Sequence, residues 1–399
     1  MARRPTLDFL KTESGAGVIL ALAAGAAIIL ANSSSSAWYF AFVGAPVPLR
    51  LGAFSQTLNV ENWVGDGLMS VFFLVVGMEI KFEVLRGELS TPRRLAMPLM
   101  AALGGMLAPA GVYLLINQGA RGSPVGWPIP TATDIAFALA GLAVFARRLP
   151  GSLRLFLLTL AIADDLGAVG LIGVLFTRHL DIDALVEAGI TIALLAALSR
   201  WRRAPFLLYA VGFLAVWGFT LRSGINTSLA GIACALTVPI GARRADQESV
   251  LKSFQDALHP YVAYIILPLF AFTASGFSVR GMTAAQILAP TPLGVALGLL
   301  IGKPLGVFSF SWAATALRIG RRPAGVAWLD ILGVALLCGA GFTLSLYMGG
   351  LAFAPRNAIV HAEIRLAVVL ASLASVLAGG ALLAWTGARR SRADLEGLG

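Results

Sequence analysis

The sequence predicts an all-α polytopic membrane protein, one bundle of about twelve transmembrane helices. Three observations predict it. Only 13% of the 399 residues are charged and 58% are hydrophobic, whereas soluble domains run near 25% charged. Apolar runs of about 20 residues, long enough to cross a bilayer as helices, recur along the whole chain. The basic residues alternate between the connections. With the N-terminus inside, inside loops carry three or four each and outside loops one each, a strong positive-inside pattern. That pattern puts both termini in the cytoplasm. It also accounts for the net charge of +10 without nucleic acid.

The spans are expected near 14–31, 60–85, 95–116, 125–146, 151–176, 182–199, 205–221, 224–240, 255–274, 291–316, 327–350 and 358–386. Residues 1–13 and 387–399 then form cytoplasmic ends of a single domain. Arg3, Arg4 and Lys11 precede the first apolar run, which reads as a retained span and not a signal peptide. The long outside segment 32–59 contains VPLRLGAFSQTLNV at 47–60, read either as a two-stranded hairpin able to pair with another copy or as an irregular loop. Cys234 and Cys338 lie inside apolar runs, so no disulfide framework is indicated.

The second span carries Asp66 near its outer end. Glu79 and Glu83 lie four apart on one helix face near its inner end. They read either as a cation-gathering mouth or as a solvated helix end. The fourth span opens GWPIPTATDIAFALA at 126–140. Pro128 and Pro130 deny backbone donors, and Thr131, Thr133 and Asp134 follow. Either Asp134 sits at a helix break lining a cavity, or it caps a helix at the outer surface. The fifth span places Asp164 and Asp165 side by side in its middle. Each charge at bilayer depth costs about 2.5–3.5 kcal/mol on insertion scales, and the two carboxylates repel.

The tenth span has Gly294, Gly298, Gly302 and Gly306 at every fourth position, a stripe for close helix packing. Lys303 interrupts it and needs a partner, Asp164 or Asp165. A phosphate loop is rejected, since Leu297 stands at the first glycine position and Pro304 replaces Ser or Thr. The eleventh span reads LGVALLCGAGFTLSLYMGG at 332–350, with Gly339 and Gly341 at mid-span. They read as close packing or as a second interruption. Two interrupted spans meeting near the midplane would suit an inverted-repeat transporter, with Asp134 and Lys303 offsetting the partial charges of the half-helix ends.

Four ionisable groups at depth, Asp134, Asp164, Asp165 and Lys303, together represent about 10 kcal/mol of insertion cost. Such groups mark ion pathways or proton relays. Carboxylates in low dielectric hold protons or a hard cation, and competition between the two yields cation/proton exchange. Two other classes fit less well. Intramembrane aspartyl proteases carry Tyr-Asp and Gly-x-Gly-Asp, which Thr133-Asp134 and Ala163-Asp164-Asp165-Leu166 do not match. A passive cation channel would not need a buried Lys.

Taken together, GDGLMSVFFLVVGMEIK, TATDIAFALAGLA, LTLAIADDLGA, LHPYVAYIILPLFAF, GKPLG and LCGAGFTLSLYMGGLAF resemble the NhaA family of bacterial sodium/proton antiporters. The likeness covers residues 9 to 385, nearly the whole chain. That family is itself a standard example of the inverted-repeat transporters with interrupted spans. The resemblance implies a twelve-span fold with crossed discontinuous helices in spans four and eleven. It implies a secondary transporter of the bacterial inner membrane, not an enzyme, with no cofactor. The transport would be electrogenic exchange of cytoplasmic Na⁺ or Li⁺ for more than one external proton. A sodium-coupled symporter of similar fold is the alternative.

The resemblance further implies ion binding on Asp164 and Asp165, Thr133 and Asp134 at the crossing, and Lys303 as partner of Asp164. It assigns Glu79, Glu83 and His259 to pH response, and the 47–60 hairpin to a homodimer contact. Three positions depart from the family pattern. Asn226 stands where His is common and cannot titrate, and Gln255-Asp256 stands where Glu-His is expected. They bear on pH regulation and leave the transport site untouched.

Overall fold

The computed structural model describes residues 13–51, 54–86, 92–146, 149–176, 180–201, 205–241, 249–353 and 358–396. Of the described residues, 79% are helical. In order come α1 (Glu13–Asn32), α2 (Ser36–Val43), β1 (Pro46–Leu51), β2 (Phe54–Asn59), a π-helical stretch Trp63–Leu68, α3 (Met69–Arg86) and α4 (Pro92–Ile116). Two 3₁₀ turns, Pro124–Gly126 and Ile129–Thr131, lead into α5 (Ile135–Phe145). There follow α6 (Gly151–Leu175), α7 (Ile182–Leu198), α8 (Phe206–Ser223), α9 (Ser228–Thr237), α10 (Val250–Tyr261) and α11 (Leu267–Ala274). The last elements are α12 (Pro290–Leu297), α13 (Lys303–Ala316), α14 (Trp328–Leu337), α15 (Phe342–Ala352) and α16 (Ala358–Glu396).

Local chemistry sets many boundaries. The Asp181 side chain accepts from Asp183 and Ala184 N–H and starts α7. Ser249 does the same for α10 through Lys252 N–H at 3.1 Å. Gly224, at φ +79°, ends α8 in the left-handed conformation that glycine adopts without a Cβ penalty. Two further π-helical stretches, Val262–Ile266 and Gly298–Gly302, join α10 to α11 and α12 to α13. In each, the widened turn contains the carbonyl four residues before a proline, Pro268 or Pro304. The missing N–H and the ring clash at that carbonyl loosen the ladder there.

Among the described residues, seven helices are long and apolar enough to cross a membrane, and nine spans result if each of two bent pairs counts as one. The twelve expected from sequence are not all reached. The stretch at 60–85 is helical, but α3 carries Glu79, Lys81, Glu83 and Arg86. The stretches at 182–199 and 224–240 form helices of 17 and 10 residues. Large apolar side chains point outward, such as Leu115 (70% exposed) and Val174 (81%). Water penalises such a surface and hydrocarbon does not. The chain is a multi-pass membrane protein.

The chain divides into two compact units, with boundaries near Asn32, Thr91, Ala168 and Ala274. In the first, Leu153, Phe156, Leu157 and Leu160 of α6 pack with Leu139 and Leu142 of α5, Val334 and Leu337 of α14, and Leu383 of α16. The glycine stripe works as a packing face here. A Cβ on Gly302 would stand 2.6 Å from Pro109 Cα, and one on Gly306 would run into the Gly104 carbonyl. The α4 and α13 backbones therefore touch.

In the second unit, β1 and β2 pair antiparallel from Pro46↔Asn59 to Leu51↔Phe54, so the hairpin reading holds and the irregular-loop reading does not. The Trp63 indole donates to Val47 O at 2.8 Å and ties the hairpin to the π stretch. That stretch leaves the Asp66 carbonyl accepting from the Trp217 indole and the Thr227 hydroxyl, both at 2.7 Å. Lys81 donates to the carbonyls of Leu236 and Val238, the negative end of α9.

Two elements depart from the sequence expectation. Residues 36–43, expected to be part of a long loop, form α2. The last helix continues past 386 to Glu396. Of the basic residues that carried the topology argument, Arg3, Arg4, Lys11, Arg147, Arg148, Arg178, Arg202, Arg203, Arg243, Arg244 and Arg356 lie outside the described residues. So do the side chains of Arg50, Arg93, Arg94 and Arg392.

Candidate ion-binding site

The fourth and eleventh expected spans are both interrupted. The 3₁₀ segment 124–131 and α5 meet at a bend of 41°, and α14 and α15 at 46°. Between the halves run short non-helical segments, 132–134 in one case and 338–341 in the other. Pro128 and Pro130 prevent a continuous helix in the first. Gly339-Ala340-Gly341 interrupts the second, where added Cβ atoms would meet Leu299 O and Ser375 Oγ at Gly339, and Ser345 Oγ at Gly341.

The two interruptions bond to each other. Asp134 N–H donates to Ala340 O at 2.7 Å. The Asp134 carboxylate then serves two helix starts. Oδ1 accepts from Phe137 N–H at 3.0 Å, capping α5. Oδ2 accepts from the N–H (3.0 Å) and hydroxyl (2.6 Å) of Thr343, in the first turn of α15. An anion between two helix N-termini meets unsatisfied N–H groups and the positive ends of both dipoles. Asp134 is thus both a cap and a residue at a break, and it is buried, which corrects the surface-cap alternative. Ser345 adds a bond from its hydroxyl to Ile129 O at 2.7 Å.

Lys303 follows the π-helical stretch and is fully buried. Its ammonium lies 2.5 Å from Asp164 Oδ2 and also donates to Thr131 O, at the carbonyl end of the 3₁₀ segment. A cation there complements the negative end of that segment. The Thr133 hydroxyl donates to the same Asp164 Oδ2 at 2.6 Å and stands 3.1 Å from Cys338 O. Asp164 Oδ1 is buried and has no hydrogen-bond partner among the described residues. Asp165, one residue on, is buried as well. None of Thr133, Asp134, Asp164, Asp165 and Lys303 is more than 3% exposed.

Lys303 therefore pairs with Asp164, the choice the residues alone left open. The atoms around it are carboxylate, hydroxyl and backbone-carbonyl oxygens. That donor set suits a hard monovalent or divalent cation, or a proton. Among the described residues no group of three or more His, Cys, Asp or Glu gathers as a metal centre.

Glu79 and Glu83 are half-buried on α3 in the second unit, against which α10 packs, and His259 is exposed on α10. Nearby on α10, Lys252 stands 3.6 Å from Asp256 and over the Phe82 ring. Gln255 is buried. Asn226 accepts from the N–H and hydroxyl of Ser228 and shapes the turn before α9.

Sequence reasoning missed Thr343 and the carbonyls of Cys338 and Ala340. Thr343 was findable, since a Thr just after a glycine break suits the start of a helix. Carbonyls carry no residue signature. It also missed the buried Asp330, which bonds Ala327 N–H at 2.7 Å and pairs with Arg390.

Known proteins resemble this chain over nearly its whole length. A family model described as Na+/H+ antiporter 1 matches residues 7–383. The Na(+)/H(+) antiporter NhaA of Pseudomonas putida GB-1 is 43% identical over 376 residues, 94% of this chain and 96% of that one. The NhaA of Bordetella parapertussis is 45% identical over 392 residues, covering 96% and 97%. That of Psychrobacter arcticus is 42% identical over 386 residues, covering 97% and 96%.

Proposed function

The chain belongs to the Na+/H+ antiporter 1 family, and from that premise we propose that its buried carboxylates carry the exchange of Na⁺ for protons. It is a Na⁺/H⁺ antiporter, and nothing observed favours the sodium-coupled symporter. The observation that carries the mechanism is the sharing of one oxygen. Lys303 and Thr133 both hold Asp164 Oδ2. A sodium ion binding that oxygen must displace the ammonium, while Asp164 Oδ1 stands open to it. A proton on Asp164 removes the charge that holds either.

The carboxylate of Asp164 thus alternates between proton, cation and Lys303, while Asp165 serves mainly as cation ligand. Thr133 offers its hydroxyl, and Asp134 holds the two interrupted spans where they cross. Na⁺ or Li⁺ from the cytoplasm leaves as more than one external proton enters, so the exchange is electrogenic. The protein lies in the bacterial inner membrane with twelve spans and both termini in the cytoplasm. Glu79, Glu83 and His259 tune the response to cytoplasmic pH. The hairpin at 47–60 joins two copies.

The test is proton flux in everted vesicles. Respiration acidifies the interior and Na⁺ is added at a series of pH values. Na⁺ should collapse the gradient more strongly at alkaline pH, and Asp164→Asn should abolish the signal. A folded, inserted protein giving no Na⁺ signal at any pH would overturn the reading. Retained Na⁺ signal in Asp165→Asn would remove Asp165 from it.

A further inference from the structure

In the first unit, α12 and the π-helical turn after it run beside α16 and leave an open groove of about 470 Å³. Small-molecule sites have volumes of this order. Its walls are apolar, with Pro292, Leu293 and Leu300 on one side and Leu366, Leu370 and Leu377 on the other. Among the described residues, Glu363 is the sole ionisable one lining it. Along α16, the distance from Glu363 to Leu377 is about 21 Å at 1.5 Å per residue. The groove is therefore long and greasy, with one acid at one end.

Glu363 is only 6% exposed. Among the described residues, no hydrogen bond or ion pair holds its carboxylate. A carboxylate that opens onto a groove with otherwise apolar walls is unfavourable in hydrocarbon unless something supplies positive charge or hydrogen-bond donors. Both walls belong to helices long and apolar enough to cross the membrane. Rim residues such as Leu288 and Leu373 are open to whatever surrounds them. In a bilayer, the molecule that combines a long apolar chain with a charged head is a lipid.

We propose that this groove binds one phospholipid whose headgroup carries a primary ammonium, with the ammonium on Glu363 and an acyl chain along α12 and α16. An ammonium brings three N–H donors and a full charge to the buried acid. A quaternary choline head offers no N–H, and a head with only a phosphate would be repelled. Both walls begin at the same membrane face. In the topology proposed above that face is external, which places the lipid in the outer leaflet.

The experiment is a lipid titration of the full chain, purified in detergent, stripped of lipid and followed by native mass spectrometry. Phosphatidylethanolamine, phosphatidylglycerol and phosphatidylcholine with identical chains are the probes. One phosphatidylethanolamine should bind at least about tenfold more tightly than either other lipid. Glu363→Gln should erase that preference, and Leu370→Trp, which fills the groove, should weaken all three. Equal binding of the three lipids by the unaltered protein would overturn the proposal. So would a preference that survives Glu363→Gln, or a second copy of the chain covering the groove and excluding lipid. If Glu363→Gln does not fold, the unaltered protein and Leu370→Trp decide the matter. Both variants should keep Na⁺-driven proton flux, so failure of the lipid site is distinct from failure of the antiport reading.

Discussion

Lys303 and Asp164 form an ion pair with no exposed side-chain surface on either partner. The pair joins α13, just after its π-helical turn, to the middle of α6. Two charges removed from water hold together only while both are present and bonded. Lys303→Ala should therefore lower the stability of the purified protein by about 3–5 kcal/mol. The double variant Asp164→Asn/Lys303→Gln, which buries no unpaired charge, should recover much of that. Thermal unfolding in detergent reads both. Equal melting of Lys303→Ala and the unaltered chain would mean that the pair adds nothing to the fold.

Asp134 depends on a hydroxyl as well as on backbone donors. Thr343→Val keeps the N–H at 3.0 Å and removes the hydroxyl at 2.6 Å. The loss should be about 1–3 kcal/mol, the penalty for a buried acceptor short of one donor. Thr343→Ser should stay near the unaltered protein in both melting temperature and Na⁺-driven flux. A Ser variant as weak as Val would show that the methyl group, not the hydroxyl, matters.

Competition between Na⁺ and protons for one carboxylate has a fixed sign. Raising the pH removes the competing proton, so the apparent KM for Na⁺ should fall, by up to about tenfold per pH unit for a single proton. Flux measured at several Na⁺ concentrations across the pH series gives that slope. A KM rising toward alkaline pH would rule out a shared site.

Asp330 and Arg390 connect the start of α14 to the far end of α16. Arg390→Ala leaves a buried carboxylate with only the Ala327 N–H, while Asp330→Asn/Arg390→Ala leaves none charged. The double-mutant cycle should give a coupling of about 0.5–3 kcal/mol. Zero coupling would mean that the two side chains do not meet in solution.

Where α4 and α13 touch, Gly306→Ala should cost about 1–3 kcal/mol through overpacking against the Gly104 carbonyl. Gly111→Ala on α4 has nothing within 4 Å of the added methyl and should be neutral. Comparable losses from the two substitutions would show that the close approach is not what Gly306 serves.

Much of this was legible in the sequence because hydrocarbon imposes simple rules. Most expected spans lie within a few residues of real helices. The interruptions fell where Pro128 and Pro130 deny backbone donors and at Gly339 and Gly341, a pair that the residues alone left open between packing and a break. The acids and Lys303 were visible as charges out of place. The span count was less legible. Glu79 and Lys81 sit within a helical turn of apolar residues, and α9 is only ten residues long, so hydropathy alone blurs both. The partner of Lys303 was ambiguous because Asp164 and Asp165 are adjacent, and only a rotation of about 100° about α6 separates them. The carbonyls at Thr131, Cys338 and Ala340 belong to the backbone and are invisible to residue type.

The bonds from Asp134 to Thr343 link residues 209 positions apart. A ribosome adding about 5–20 residues per second needs roughly 10–40 s to cover that distance. Until then, the carboxylate of Asp134 has only the Phe137 N–H of the donors that hold it in the finished protein. Neither α5 nor α15, at 11 residues each, reaches across a bilayer alone. Biosynthesis thus leaves the first interrupted pair unfinished until α15 is made and closes both at once. A chain truncated before α15 would leave the Asp134 carboxylate without both Thr343 donors, so the last half of the second interrupted pair completes the first.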